Sequence, residues 1–63
     1  MFSYKKYAVL RDSKSVTDYE VSKKTEVSTS TLSNWKAGRY TPKSDKIKKI
    51  ADYFGVSIEY FLE

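Results

Sequence analysis

The residues of this 63-residue chain that could do chemistry are concentrated between Ser28 and Lys49, and they are of two kinds. Ser28, Thr29, Ser30, Thr31, Ser33 and Asn34 offer short groups that both donate and accept hydrogen bonds. Lys36, Arg39, Lys43, Lys46, Lys48 and Lys49 follow, set against Asp45 alone, so this stretch carries +5 in a chain whose total is +4. Covalent and acid–base chemistry have little to work with. The sequence has no Cys and no His, which removes thiolate metal sites, disulfides, the thiol nucleophile and the commonest general base. It also has no Gly-rich phosphate loop and no clustered pair of acids. No enzyme is expected, and no metal, cofactor or small-molecule substrate. What remains is recognition, in which cations draw a polyanion such as nucleic acid or anionic lipid and short polar groups address what it displays. A solvated lysine face kept for solubility would account for the charge equally well.

The elements that position these residues read as helices. Helical spacing recurs along the chain while alternation of apolar and polar residues does not persist, and the single Pro and both Gly fall between candidate helices. Three starts share a Ser or Thr cap flanked by a hydrophobic staple: Val16-Thr17 with Val21, Val27-Ser28 with Leu32, and Val56-Ser57 with Phe61. Thr17 with Glu20 adds a capping box, and Ser44-Asp45 supplies a cap and a first-turn carboxylate. Ile47, Ile50, Ala51 and Phe54 form an amphipathic stripe that ends at Gly55, where a left-handed cap is wanted. The expected architecture is all-α, one compact domain over residues 1–63, with five helices at about 3–12, 18–25, 29–37, 45–54 and 58–62. Only Glu26, Val27 and Ser28 separate the second and third, which forces a steep helix-turn-helix crossing.

At 100° per residue the third helix sorts into two faces. Leu32 and Trp35 fall together and are expected to plug it into the core, the alternative for Trp35 being to stack on a base; Ser30, Ser33, Asn34 and Ala37 fall opposite. Short uncharged groups suit base edges in a DNA major groove, where Asn addresses adenine and Ser or Thr several bases. Affinity would then come from phosphate contacts by the basic residues beyond the helix, Arg39 and Lys43 first. An exposed helix merely solvated by small polar residues would look the same in isolation.

From Leu10 to Leu62 the chain resembles the lambda-repressor/Cro type of helix-turn-helix DNA-binding domain. The resemblance is carried by Leu10-Arg11, by "TDYEVSKKTEVSTSTLSNWKAG" from Thr17 to Gly38, by Pro42, and by "IKKIADYFGVSIEYFL" from Ile47 to Leu62. It implies a five-helix fold with helix 29–37 lying in the major groove and helix 18–25 crossing above it. Thr29, Ser30 and Asn34, with Ser33 beside them, fall where members of the family contact bases. Thr17, Asp18 and Tyr19 fall where the start of the second helix meets phosphate, and Arg39, Tyr40 and Lys43 lie in the loop that approaches the DNA backbone. Four departures stand out. Ser22 replaces the small apolar Ala usual where the two helices touch, and its hydroxyl can bond back to the Asp18 carbonyl. Asp18 replaces a common Gln, putting a carboxylate near phosphate unless it reads a cytosine amino group. Glu26 replaces the usual turn Gly and adds strain of roughly 1 kcal/mol if φ is positive there. Lys36 replaces a Glu that often pairs with the arginine matching Arg11, so Arg11 needs another acid and Lys36 joins the phosphate-contacting set.

The resemblance implies a phage or prophage repressor or Cro-like regulator, binding a palindromic double-stranded operator as a homodimer on half-sites roughly 34 Å apart. Ile58, Phe61 and Leu62 are expected to close the core, leaving Tyr60 opposite as a candidate dimer contact. The chain ends one residue after Leu62, which fits an excised N-terminal domain or a short Cro-like protein. No apolar run approaches the roughly 18 residues of a membrane span, and a cytoplasmic location is expected. The alternative function is a protein-interaction module of the same fold, partnering an antirepressor, a toxin or a polymerase subunit.

Overall fold

The computed structural model describes residues 2–62. It contains four α-helices among them: α1 (Tyr4–Ser13), α2 (Asp18–Thr25), α3 (Thr29–Lys36) and α4 (Ser44–Phe54). The expected fifth helix at 58–62 is instead one 3-10 turn, Ile58–Phe61. The reason lies at the other end of the chain. Leu62 turns extended and makes an antiparallel bridge with Phe2, while Ser3 N–H donates to the Phe61 carbonyl at 2.7 Å and the Lys6 ammonium to the Leu62 carbonyl at 2.7 Å. Tying the two ends together holds Leu62 in extended backbone, which stops the helical turn at Phe61. It also leaves Leu62 41% exposed, so Ile58 and Phe61 close the core without it.

Caps set the helix starts. Thr17 Oγ1 accepts from Glu20 N–H and Ser28 Oγ from Thr31 N–H, as the sequence pattern anticipates. Ser44 does not cap α4. It is the first helical residue, and Lys43 holds the cap position: its carbonyl accepts from Lys46 and Ile47, and its ammonium, having no acceptor, caps nothing. At the far end Gly55 (φ 72°) closes α4 in the left-handed conformation.

The core gathers Tyr7 from α1, Val21 from α2, Val27 from the turn, Leu32 and Trp35 from α3, Ile47, Ile50, Ala51 and Phe54 from α4, and Phe61. Trp35 is 4% exposed, stacks on Tyr7 at 5.4 Å between ring centroids, meets Tyr4 edge-on, and donates its Nε1–H to the Phe2 carbonyl at 3.3 Å. One side chain thereby fixes α3 to α1 and to the start of the chain.

The turn between α2 and α3 is held by buried Thr25, whose hydroxyl donates to the Val21 carbonyl at 2.7 Å and accepts from Val27 N–H at 3.3 Å. Glu26 pivots the chain at φ 64°, ψ 13°, where a Cβ is unfavourable. Among the described residues its carboxylate makes only an exposed pair with Lys49 at 3.7 Å, a contribution of about 0–1 kcal/mol. Glu26→Gly should therefore stabilise the domain by about 1 kcal/mol, raising the midpoint of a thermal melt by roughly 4–8 °C.

Candidate nucleic-acid interface

The burial of Leu32 and Trp35 decides which side of α3 faces outward. Thr29, Ser30 and Ser33 are exposed and Asn34 is half-buried, so the uncharged face anticipated from spacing is the face solvent meets. The basic residues flanking it differ from those further along α4. Lys48 pairs with Asp52 at 3.0 Å and Lys49 with Glu26, whereas Lys36, Arg39, Lys43 and Lys46 form no ion pair among the described residues. The cations beside α3 thus keep their field for a ligand, and those behind it spend theirs on the protein.

After α3 the chain turns at Gly38 (φ 77°) and brings two loop residues back over the helix. Arg39 donates to Asn34 Oδ1 at 3.0 Å, and Asn34 Nδ2 donates to the Tyr40 hydroxyl at 3.4 Å. Thr31, then Asn34, donate toward that phenol oxygen and lower Tyr40 below its ordinary 10.0. Thr31 also bonds Ser28 hydroxyl to hydroxyl at 2.9 Å. Tyr40 with Thr31, Thr41, Lys43 and Lys46 lines a shallow groove beside the exposed face. Thr41 has no signal of its own in the sequence, and Lys46 is visible there only as one of the cations. The lysine's position opposite Thr31 depends on the loop.

At the start of α2 the structure answers what Arg11 does without its usual partner. Arg11 donates to Asp18 Oδ1 at 2.9 Å and to the Tyr4 hydroxyl at 3.0 Å, and also pairs with Asp12 at 3.0 Å. The Tyr7 hydroxyl donates to the same Asp18 oxygen at 2.7 Å. One oxygen of the Asp18 carboxylate therefore accepts from two donors of α1 and ties the first turn of α2 to that helix. The Asp18 bond raises the Arg11 guanidinium above its ordinary range. Thr17 and Tyr19 remain exposed beside it, Tyr19 at 66%. Tyr60, 38% exposed, lies against Phe61 at the opposite end of the sequence.

Burial, followed by the hydrogen bond to Asp18 and the charge on it, pushes the Tyr7 phenol well above its ordinary 10.0. The folded protein then keeps a proton that the unfolded chain loses, so stability from this group is complete below pH 10 and falls as pH rises beyond it. The expected slope is about 1.4 kcal/mol per pH unit. Tyr7→Phe should lose about 1 kcal/mol at neutral pH and show a correspondingly shallower alkaline decline in urea denaturation midpoints followed across pH.

A helix-turn-helix family model matches residues 9–61, spanning α2, the three-residue turn, α3 and the elements that hold them. The chain belongs to the lambda-repressor/Cro-like helix-turn-helix family. It is a DNA-binding domain of the kind found in transcription regulators, and double-stranded DNA is its partner. No curated protein and no solved structure matches this helix-turn-helix chain. No helix among the described residues is long and apolar enough to cross a membrane.

Proposed function

We propose that this helix-turn-helix protein binds DNA sequence-specifically, as a repressor or Cro-like regulator of phage or prophage type, with α3 as its recognition helix in the major groove. One observation carries the proposal: α3 is anchored by Leu32 and Trp35 and presents Thr29, Ser30, Ser33 and Asn34 outward, uncharged, between cations that have no acidic partner among the described residues. Those four residues contact bases. Thr17, Tyr19 and the backbone of Asp18 meet phosphate on one side, and Lys36, Arg39, Tyr40 and Lys43 meet it on the other. The operator is palindromic and bound by a homodimer, with Tyr60 a candidate for the contact between copies. The protein works in the cytoplasm and needs no cofactor.

Fluorescence anisotropy with short random duplexes tests the proposal. Binding should weaken steeply with salt, the slope of log K against log salt being about −0.9 per phosphate contacted. A protein-interaction module of the same fold would show no salt-sensitive binding to duplex.

A further inference from the structure

Asn34 is the only residue in the chain with a side-chain amide, since the sequence contains no Gln and no other Asn. Its two ends are chemically different but nearly the same in shape, so a free amide can flip and exchange donor for acceptor. Here it is held from both sides. Arg39 approaches Oδ1 at 3.0 Å and Tyr40 approaches Nδ2 at 3.4 Å. An arginine has five N–H donors and no acceptor, so Arg39 can face only the oxygen, and the amide cannot flip without setting N–H against N–H.

We propose that Arg39 and Tyr40 are positioning residues for base readout, locking the Asn34 amide in one orientation so that it reads adenine. The hydrogen bonds leave one lone pair on Oδ1 and one N–H on Nδ2. Adenine presents the complement, an N6–H donor and an N7 acceptor, on its major-groove edge. Locking removes the flipped state, which would offer its donor and acceptor in the wrong order. Arg39 thereby does more than attract phosphate: it spends one donor on Asn34 and keeps four. This role rests on the proposed placement of α3 in the major groove.

The solitary amide makes the test direct. In an ¹⁵N-correlated NMR spectrum of the free protein the Asn34 NH₂ gives the only side-chain amide pair. Tyr40→Phe removes the acceptor hydroxyl and Arg39→Lys keeps the charge while losing the planar donor fork, and both positions are exposed. Each variant should shift the NH₂ pair toward the position of a solvent-exposed amide while leaving the core resonances in place. On the duplex that the wild-type protein selects from a random pool, Arg39→Lys should lose about tenfold more affinity than it loses on random duplex, the excess concentrated at one adenine. An unmoved NH₂ pair, or a loss equal on selected and random DNA, overturns the positioning role while leaving DNA binding intact. If no duplex perturbs the α3 backbone amides at all, the major-groove placement fails and the readout role falls with it.

Discussion

Trp35→Ala is expected to leave the chain without a cooperative thermal transition. Truncating a buried Trp or Phe costs about 3–5 kcal/mol through lost transfer energy and the cavity left behind. A domain of 63 residues rarely draws more than about 3–5 kcal/mol from its single core, so this one change removes most or all of it. The loss cannot be repaired locally. The indole packs on both Tyr4 and Tyr7 of α1 and holds the Phe2 carbonyl, three contacts that go with one side chain. Trp35→Phe should retain the fold at a cost of about 1–2 kcal/mol, the hydrogen bond included. Far-UV circular dichroism on heating distinguishes the two variants. A Trp35→Ala melt as sharp as that of the parent would show that α3 is anchored elsewhere.

The second large effect is electrostatic. Replacing Lys36 and Lys43 together with Ala should reduce duplex affinity about 60-fold near 0.1 M salt. Each phosphate contact contributes a salt exponent of about 0.9, worth roughly eightfold at that concentration relative to 1 M, and two contacts multiply. The salt slope should fall by about 1.8 at the same time. Both lysines are exposed and neither forms an ion pair among the described residues, so stability should change by less than about 0.5 kcal/mol. The same double substitution at Lys48 and Lys49, whose charges are directed to Asp52 and Glu26, should have a markedly smaller effect. Equal losses for the two pairs would mean that overall charge, and not its placement beside α3, governs binding.

Much of this arrangement is legible in the sequence because it depends on neighbours. The span of α2 follows from Thr17 and the apolar spacing behind it, and the strained turn follows from having three residues in which to reverse two helices, with Glu26 where Gly is usual. Trp35 as anchor follows from its place one turn on from Leu32. What escaped the sequence depends on distant pairings. The 3-10 turn replaces a helix because Phe2 and Leu62 meet, and nothing near Ser57 announces that. Ser44 looks like a cap until the loop through buried Pro42 lets the helix begin one residue earlier. Loss of the usual partner for Arg11 is visible in Lys36, but the replacement, Asp18, becomes plain only once α1 and α2 are packed. The same holds for the loop's grip on Asn34, which needs the reversal at Gly38 before Arg39 and Tyr40 can return.

The central claim is that α3 reads bases while the residues beyond it hold phosphate, and one comparison tests it most directly: affinities of Asn34→Ala and Lys43→Ala on the selected duplex and on random duplex. Lys43→Ala should weaken both by about eightfold, and Asn34→Ala should weaken the selected duplex by about tenfold or more while leaving random DNA unchanged. Equal losses on the two duplexes for Asn34→Ala would contradict the placement of α3 at the base edges.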